Sequence, residues 1–213
     1  MVVPAGRWHD REMTGVTMEP VRSTRRKHMY QVEGTHEAGR ELSSPTEYLD
    51  LMAFKRTSFR FQLLQAYGIH SERAAFEEFK AKGSYRVPSD DPRLIRQRQQ
   101  LSGGRVLQRV QVVIPPVSDY LRFSFGYFRH FAAAGEDIRI LDTARVSADW
   151  LPDHDFVLLD DEVVIKLRHA PGDGRATGRE PLVNVDIAEF RAYRDRALEA
   201  AIPFAEYEAR IRS

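Results

Sequence analysis

The chain has 213 residues, of which 42% are hydrophobic, and this is enough for a globular protein with its own core. Its 32 Lys and Arg balance 31 Asp and Glu, and a net charge of +1 provides no overall field to attract nucleic acid or an anionic membrane. The absence of cysteine excludes disulfides, thiolate metal sites and cysteine nucleophiles.

The first 50 residues differ from the rest in composition. They are polar, scattered with Gly, Pro, Ser and Thr, and show neither helical nor strand periodicity. We therefore expect residues 1–50 to be a flexible N-terminal arm or the product of an over-called start codon, and residues 51–213 to form a single α+β domain. No apolar run approaches the roughly 18 to 20 residues that span a bilayer, so a soluble, cytoplasmic protein is expected.

Regular patterning begins after Leu51. Alternating Phe59, Phe61 and Leu63 predict a half-buried strand, and Ser71 is predicted to cap a helix that ends at Gly83. The run "DPRLIRQRQQL" predicts a second helix. Residues 105–114 are rich in β-branched side chains and predict a strand that ends before two prolines.

The second half of the chain continues this alternation of elements. Ser118 begins "SDYLRFSFGYFRHFAAAG", a predicted helix so apolar that it should lie deep against a sheet. Residues 137–142 predict a strand, and "DFVLLD" and "EVVIKLRHA" predict a hairpin that turns at residues 160–162. By composition "PGDGRATGREP" is a loop. Asp186 and Glu189 predict a capping box for a helix, and "FAEYEARIR" predicts a last short one.

This order of elements predicts an α+β fold in which a mainly antiparallel sheet of four or five strands packs with helices. The single helix between the strands at 105–114 and 137–142 allows one parallel pair. On the hairpin's first strand, Asp155, Val157 and Leu159 should share one face while Phe156 and Leu158 point to the other. Both sets are apolar, so the hairpin should be covered on both faces.

The first candidate site is the stretch "LPDHDFVLLDD". A carboxylate of Asp153 or Asp155 bonded to the imidazole of His154 would suit proton transfer, and the two carboxylates would supply half of a hard-metal site. On an extended chain, however, consecutive side chains point to opposite faces, and His154 would point away from both aspartates. We interpret the stretch as a loop with solvated acids that positions the hairpin.

Two further candidates are rich in arginine. Asp119, Arg122, Gly126 and Arg129 lie along one side of the predicted helix, where a glycine gap and two guanidinium groups suit a carboxylate or phosphate ligand. The alternative is an ordinary solvated helix face. The other arginine-rich candidate is a possible phosphate-facing surface formed by Arg93, Arg96, Arg98, Arg105 and Arg109. Charge runs of this kind usually face solvent.

Strong catalytic motifs are absent from the sequence. There is no Walker loop, dinucleotide-binding glycine pattern, H-E-x-x-H helix, G-x-S-x-G elbow or C-x-x-C pair. We therefore predict no cofactor and no metal ion.

Four runs resemble a known family when they are taken together and in order. They are "SDYLRFSF", "AGEDIRILD", "LPDHDFVLLDD" and "YRDRALEAAIPFAEY". From Phe54 to Tyr207 the chain resembles an uncharacterised family of actinobacterial proteins, a domain of unknown function. Members are small soluble proteins often encoded beside helix-turn-helix regulators, so the resemblance implies a regulatory protein partner. It carries no catalytic assignment.

Two functions from different classes follow. We expect a non-enzymatic regulatory or binding module that acts through a protein partner such as a helix-turn-helix regulator, without direct nucleic-acid or membrane contact. The alternative is a metal-assisted enzyme of phosphate chemistry, hydrolase or nuclease-like, in which Asp119, Asp153 and Asp155 hold the ion and an arginine neutralises developing charge. That alternative requires the carboxylates to lie within a few ångströms of one another. The sequence leaves the oligomeric state open.

Overall fold

A mixed seven-stranded sheet is the centre of the structure, a computed structural model that describes residues 52–212. The strands are β1 Thr57–Gln62, β2 Val106–Val113, β3 Asp137–Asp142, β4 Phe156–Leu159, β5 Val163–His169, β6 Ala176–Pro181 and β7 Ile202–Pro203. They lie in the order β6-β5-β4-β1-β2-β3-β7. The predicted arm of residues 1–50 lies outside the described residues.

Five α-helices occur within residues 52–212. They are α1 Arg73–Lys82, α2 Pro92–Ser102, α3 Asp119–Ala133, α4 Ile187–Ala200 and α5 Phe204–Arg212. A 3-10 turn, His70–Glu72, precedes α1. In this part of the chain no helix has the length and apolar character that crossing a membrane requires.

The sheet has a parallel centre, and antiparallel strands flank it on both sides. Strands β1, β2 and β3 run parallel, whereas β4, β5, β6 and the short β7 join by antiparallel pairing. The predicted α+β class is confirmed, but the sheet has seven strands rather than four or five. The prediction that "PGDGRATGREP" is a loop is wrong over residues 176–181, which form β6. A strand at the edge of a sheet needs only one partner, and β5 supplies it.

Most helix boundaries follow local sequence signals. Gly83 ends α1 in the left-handed conformation at φ 70°, as predicted. Ser71 does not cap α1, because it lies within the preceding 3-10 turn. Three helices begin with a side-chain oxygen that accepts a backbone N–H: Asp91 from Arg93, Ser118 from Leu121 and Asp186 from Ala188.

Helix α3 lies deep against one face of the sheet, as its apolar circumference predicts. It packs on Ile138 and Ile140 of β3 and against α1, α2 and α5. Aromatic rings fill this core because they contribute large apolar areas. The buried residues of α3 are Tyr120, Leu121, Phe123, Phe125, Tyr127, Phe128 and Phe131.

The hairpin is covered on both faces, as predicted. Phe156 and Leu158 pack with Phe190 of α4, whereas Val157 and Leu159 belong to a separate cluster with Phe54 on the opposite face. All four residues of β4 are buried. β4 is therefore an interior strand whose register is specified from both sides.

Truncating Phe156 should strongly destabilise the protein. The ring is fully buried, with centroid distances of 5.9 Å to Phe59, 5.7 Å to Phe61 and 5.1 Å to Phe190. Phe156→Ala should lower the free energy of unfolding in urea by about 3–5 kcal/mol. Val163→Ala, at a neighbouring position that is 43% exposed, should cost less than about 1 kcal/mol. Equal losses in the two variants would contradict the burial of β4.

Candidate functional site

Asp155 is buried immediately before β4, which corrects the expectation of a solvated acid. Its side chain accepts hydrogen bonds from the backbone N–H of Leu63 at 2.7 Å and from the hydroxyl of Tyr67 at 2.6 Å. Burial raises the pKa of Asp155, and the two donors only partly offset this effect. The carboxylate therefore connects the end of β1 to the start of β4, and its role is structural.

Asp160 makes the corresponding connection at the other end of the same strand pair. Its carboxylate accepts backbone N–H bonds from Lys55 at 2.7 Å, Arg56 at 2.7 Å and Thr57 at 2.9 Å. Burial opposes ionisation, but the three donors outweigh it and lower the pKa of Asp160. Asp160 also adopts a left-handed backbone with φ 52°, which aspartate tolerates in a turn. The segment "DFVLLD" is therefore a strand whose two ends each carry a carboxylate that is hydrogen-bonded to the backbone at one end of β1.

His154 is paired with Asp153, which corrects the expectation that it faces away from both aspartates. Nδ1 of the imidazole is hydrogen-bonded to an oxygen of the Asp153 carboxylate. The two residues lie in a bend before β4, and the alternation of an extended chain does not apply there. The hydrogen bond with His154 lowers the pKa of Asp153. Nε2 of His154 is buried and has no hydrogen-bond partner among residues 52–212.

Asp153 and His154 line a surface pocket of about 540 Å³ between the 151–155 loop and the first half of α4. We call it the α4 pocket. Its apolar lining consists of Leu151, Pro152, Leu182, Val185 and Phe190, and its remaining polar lining consists of Asp186, Glu189 and Tyr193. A pocket with apolar walls and a few polar groups is the usual form of a binding site.

The polar side of the α4 pocket is acidic. Partial burial raises the pKa of Tyr193, and the charges of Glu189 and Asp153 raise it further. The hydroxyl donates to Glu189 at 3.4 Å. Lys166 lowers the pKa of Asp153 through its charge. Together with Asp186, the two carboxylates give the pocket more negative than positive charge.

Sequence alone does not reveal the α4 side of this pocket. The predicted capping box at Asp186 and Glu189 is half correct, because Asp186 caps the helix while the Glu189 side chain turns to Tyr193. The spacing of four residues between Glu189 and Tyr193 indicates that they are neighbours on α4. No local signal, however, connects them to residues 151–154.

The candidate residues on α3 do not converge with the α4 pocket. Asp119 is exposed at the first position of the helix. The guanidinium of Arg122 donates to the carbonyl of Val117 at 3.3 Å, and that of Arg129 donates to Glu208 of α5 at 2.8 Å. Among the described ion pairs there is none between Asp119 and Arg122. This face is therefore occupied by local and helix–helix contacts.

The predicted glycine gap on α3 is filled. A Cβ added at Gly126 would clash with the hydroxyl oxygen of Tyr85, and that hydroxyl donates to the carbonyl of Phe123 at 2.8 Å. Gly126 is needed because an aromatic side chain of the same chain packs directly on the helix backbone. It leaves no gap for a ligand.

The predicted arginine surface is divided by ion pairs. Arg109 binds Glu136 at 2.8 Å in the interior, and Arg93 binds Glu72 and Asp91. Two of the five arginines are therefore neutralised by carboxylates. The remaining members are Arg96, Arg98 and Arg105.

The three candidate carboxylates lie in different surroundings. The carboxylate of Asp155 is bonded to Leu63 and Tyr67, whereas Asp153 lines the α4 pocket with Phe190. Asp119 begins α3. Within residues 52–212 no group of three or more His, Asp or Glu could hold a metal ion.

A family model described as a domain of unknown function (DUF6879) matches residues 47–209. The chain belongs to this family. The DUF6879 match includes β1 to β7, α1 to α4 and the whole of the α4 pocket, and it bears out the resemblance to an uncharacterised family. No curated protein and no solved structure matches the chain.

Removing the hydroxyl of Tyr67 should destabilise the protein in a pH-dependent way. Tyr67→Phe should lower the free energy of unfolding by about 1.5–3 kcal/mol at pH 8, the range for a lost hydrogen bond to a charged group. Burial already raises the pKa of Asp155, and loss of the donor raises it further. Because the pKa of Asp155 is raised in the folded state, this group stabilises the fold below pH 3.8, the usual pKa of aspartate. This stabilisation is lost as the pH rises through the folded-state pKa. The loss should therefore shrink as the pH falls.

Urea denaturation of both proteins at a series of pH values from 8 to 4 would measure this loss. Tyr193→Phe is the control, because its hydroxyl makes a long bond of 3.4 Å to an exposed partner, Glu189, and it should cost less than about 1 kcal/mol. A loss in Tyr67→Phe that does not vary with pH would show that the hydroxyl does not act on the ionised carboxylate.

Proposed function

We propose that this DUF6879 protein is a non-enzymatic binding module that acts through a protein partner, and that the partner is a DNA-binding regulator. The α4 pocket is the observation that carries the proposal. It joins two residues singled out in the sequence, Asp153 and His154, to an open cavity of about 540 Å³ with apolar walls. Pockets of this kind bind a side chain or a small group by combining apolar contact with a few polar anchors.

Charge complementarity supports a partner of this class. Proteins that bind DNA carry Lys and Arg for phosphate contacts, and basic segments of such a protein complement the acidic α4 pocket. The chain itself has a net charge of +1 and no overall field for nucleic acid. The resemblance to proteins encoded beside helix-turn-helix regulators points to the same partner, and the proposal implies a cytoplasmic location.

The alternative, metal-assisted phosphate chemistry, is not favoured by any arrangement within residues 52–212. It needs several carboxylates around one ion. Asp155 instead accepts hydrogen bonds from Leu63 and Tyr67, and Asp153 is paired with His154 beside the α4 pocket. The contacts of Asp155 suit a structural connection between strands, and those of Asp153 suit a binding pocket.

Reversing one charge in the α4 pocket should weaken partner binding. Binding of the purified chain to a helix-turn-helix regulator of its native host is measured by isothermal titration calorimetry at low and at moderate salt. Glu189→Lys should raise Kd by about tenfold or more, a change of about 1.4 kcal/mol. Glu199→Lys is the matched control, because Glu199 is exposed on the same helix but does not line the pocket. Its Kd should stay within about twofold of the unaltered chain, since exposed charges outside a contact contribute little.

The salt series adds a second criterion. Rising ionic strength should weaken binding of the unaltered chain and affect Glu189→Lys less, because salt screens the attraction that the substitution removes. If the unaltered chain does not bind the regulator, the proposed function is wrong.

A further inference from the structure

We propose that the α4 pocket binds the guanidinium group of an arginine side chain presented by the protein partner. This inference rests on the proposed function and makes it more specific. It names the chemical group that the pocket recognises, and it follows from the carboxylates, the rings and the hydrogen-bonding state of the helix start.

Carboxylates that face solvent supply the anchors. The side chain of Asp153 is 88% exposed, and its described hydrogen bond to His154 uses one of its two oxygens. Glu189 is exposed, and its described hydrogen-bond partner is the Tyr193 hydroxyl at a long 3.4 Å. Both carboxylates line the pocket and retain acceptor capacity. A planar guanidinium with its five donors can serve two carboxylates at once, which a single ammonium point charge does less well.

The walls of the pocket suit the flat, weakly hydrated faces of a guanidinium. The half-buried Tyr193 and the edge of the largely buried Phe190 line the pocket with aromatic carbon, and Leu151 and Leu182 offer apolar surface for the methylene stem. The same protein already stacks its own arginines on rings. The guanidinium carbon of Arg196 lies 4.4 Å from the ring centre of Trp150, and such contacts contribute attraction of the cation–π type.

An anion is the less suitable occupant, although the pocket adjoins a helix start. Free N–H groups at a helix start favour anions. Here the N–H of Ala188 donates to the Asp186 side chain, and the N–H of Glu189 donates to the Asp186 carbonyl. The carboxylates of Asp186 and Glu189 also offset the positive end of the helix dipole. Lys166 acts on Asp153 through its charge but makes no described hydrogen bond to it, so it leaves the carboxylate available.

The test is a titration of the full-length chain with small probes, followed by backbone amide NMR. N-acetyl-arginine methylamide should shift signals of residues 151–154 and 186–193 with a Kd in the millimolar range, as expected of one side chain. The citrulline analogue has the same shape without the charge and should not produce these shifts. The lysine analogue should bind at least about threefold more weakly, since it lacks the planar fork. Inorganic phosphate should leave the signals unchanged.

Two neutralising variants complete the test. Asp153→Asn combined with Glu189→Gln should raise the Kd for the arginine probe by about tenfold, which corresponds to about 1.4 kcal/mol. Glu199→Gln, on the same helix outside the pocket, should leave it unchanged. Thermal unfolding of each variant shows that the fold is retained. Equal binding of arginine and citrulline probes, a stronger lysine probe, phosphate binding at the same signals, or no shift at all would each overturn the inference.

The same variants separate this inference from the proposed function. If the regulator binds the double variant as tightly as the unaltered chain, the partner uses another surface, so the arginine inference fails while the proposed function stands. If the arginine probe binds the pocket but the regulator does not bind the chain, the pocket chemistry is supported and the proposed function fails.

Discussion

Two carboxylates hold β4 beside β1, and the rest of the sheet depends on this pairing. Asp155 accepts the N–H of Leu63 where β1 ends, and Asp160 accepts the N–H groups of residues 55–57 where β1 begins. Charge-assisted bonds of this kind are about twice as strong as neutral ones. Because β1 is the outer strand of the parallel centre and β4 is the first of three antiparallel strands on that side, these bonds join the centre to that side of the sheet in one register.

Fixing β4 also determines where the binding residues lie. Asp155 is bonded to Leu63 and Tyr67, and the bend just before it leaves Asp153 and His154 beside Phe190 of α4. Neighbouring residues of one short motif therefore serve different purposes. Asp155 is buried and connects two strands, whereas Asp153 is exposed and lines a pocket. A single substitution scan across "LPDHDFVLLDD" would mix stability effects with binding effects unless the two acids are considered separately.

The acidic character of the α4 pocket comes from two distant parts of the chain. The 151–155 loop supplies Asp153, and α4 supplies Glu189 and Tyr193. Each part alone has a structural explanation, since one precedes a strand and the other begins a helix. Their combination places exposed carboxylates around apolar walls, and this feature distinguishes the pocket from an ordinary solvated surface.

The sequence by itself determined most of the local elements, although β6 and the start of α1 were not predicted correctly. Period-two alternation predicts both faces of β4, Ser118 predicts the start of α3, and the apolar circumference of α3 predicts its depth. These features depend on residues a few positions apart, and local backbone and side-chain preferences decide them. Only the tertiary structure decided the strand order, the burial of Asp155 and the composition of the α4 pocket. The donors of Asp155 lie 88 and 92 residues away along the chain, and those of Asp160 lie 103 to 105 residues away. Whether a carboxylate is solvated, buried or part of a pocket depends on the groups that the fold brings to it, because the free energy of a charge is set by its surroundings.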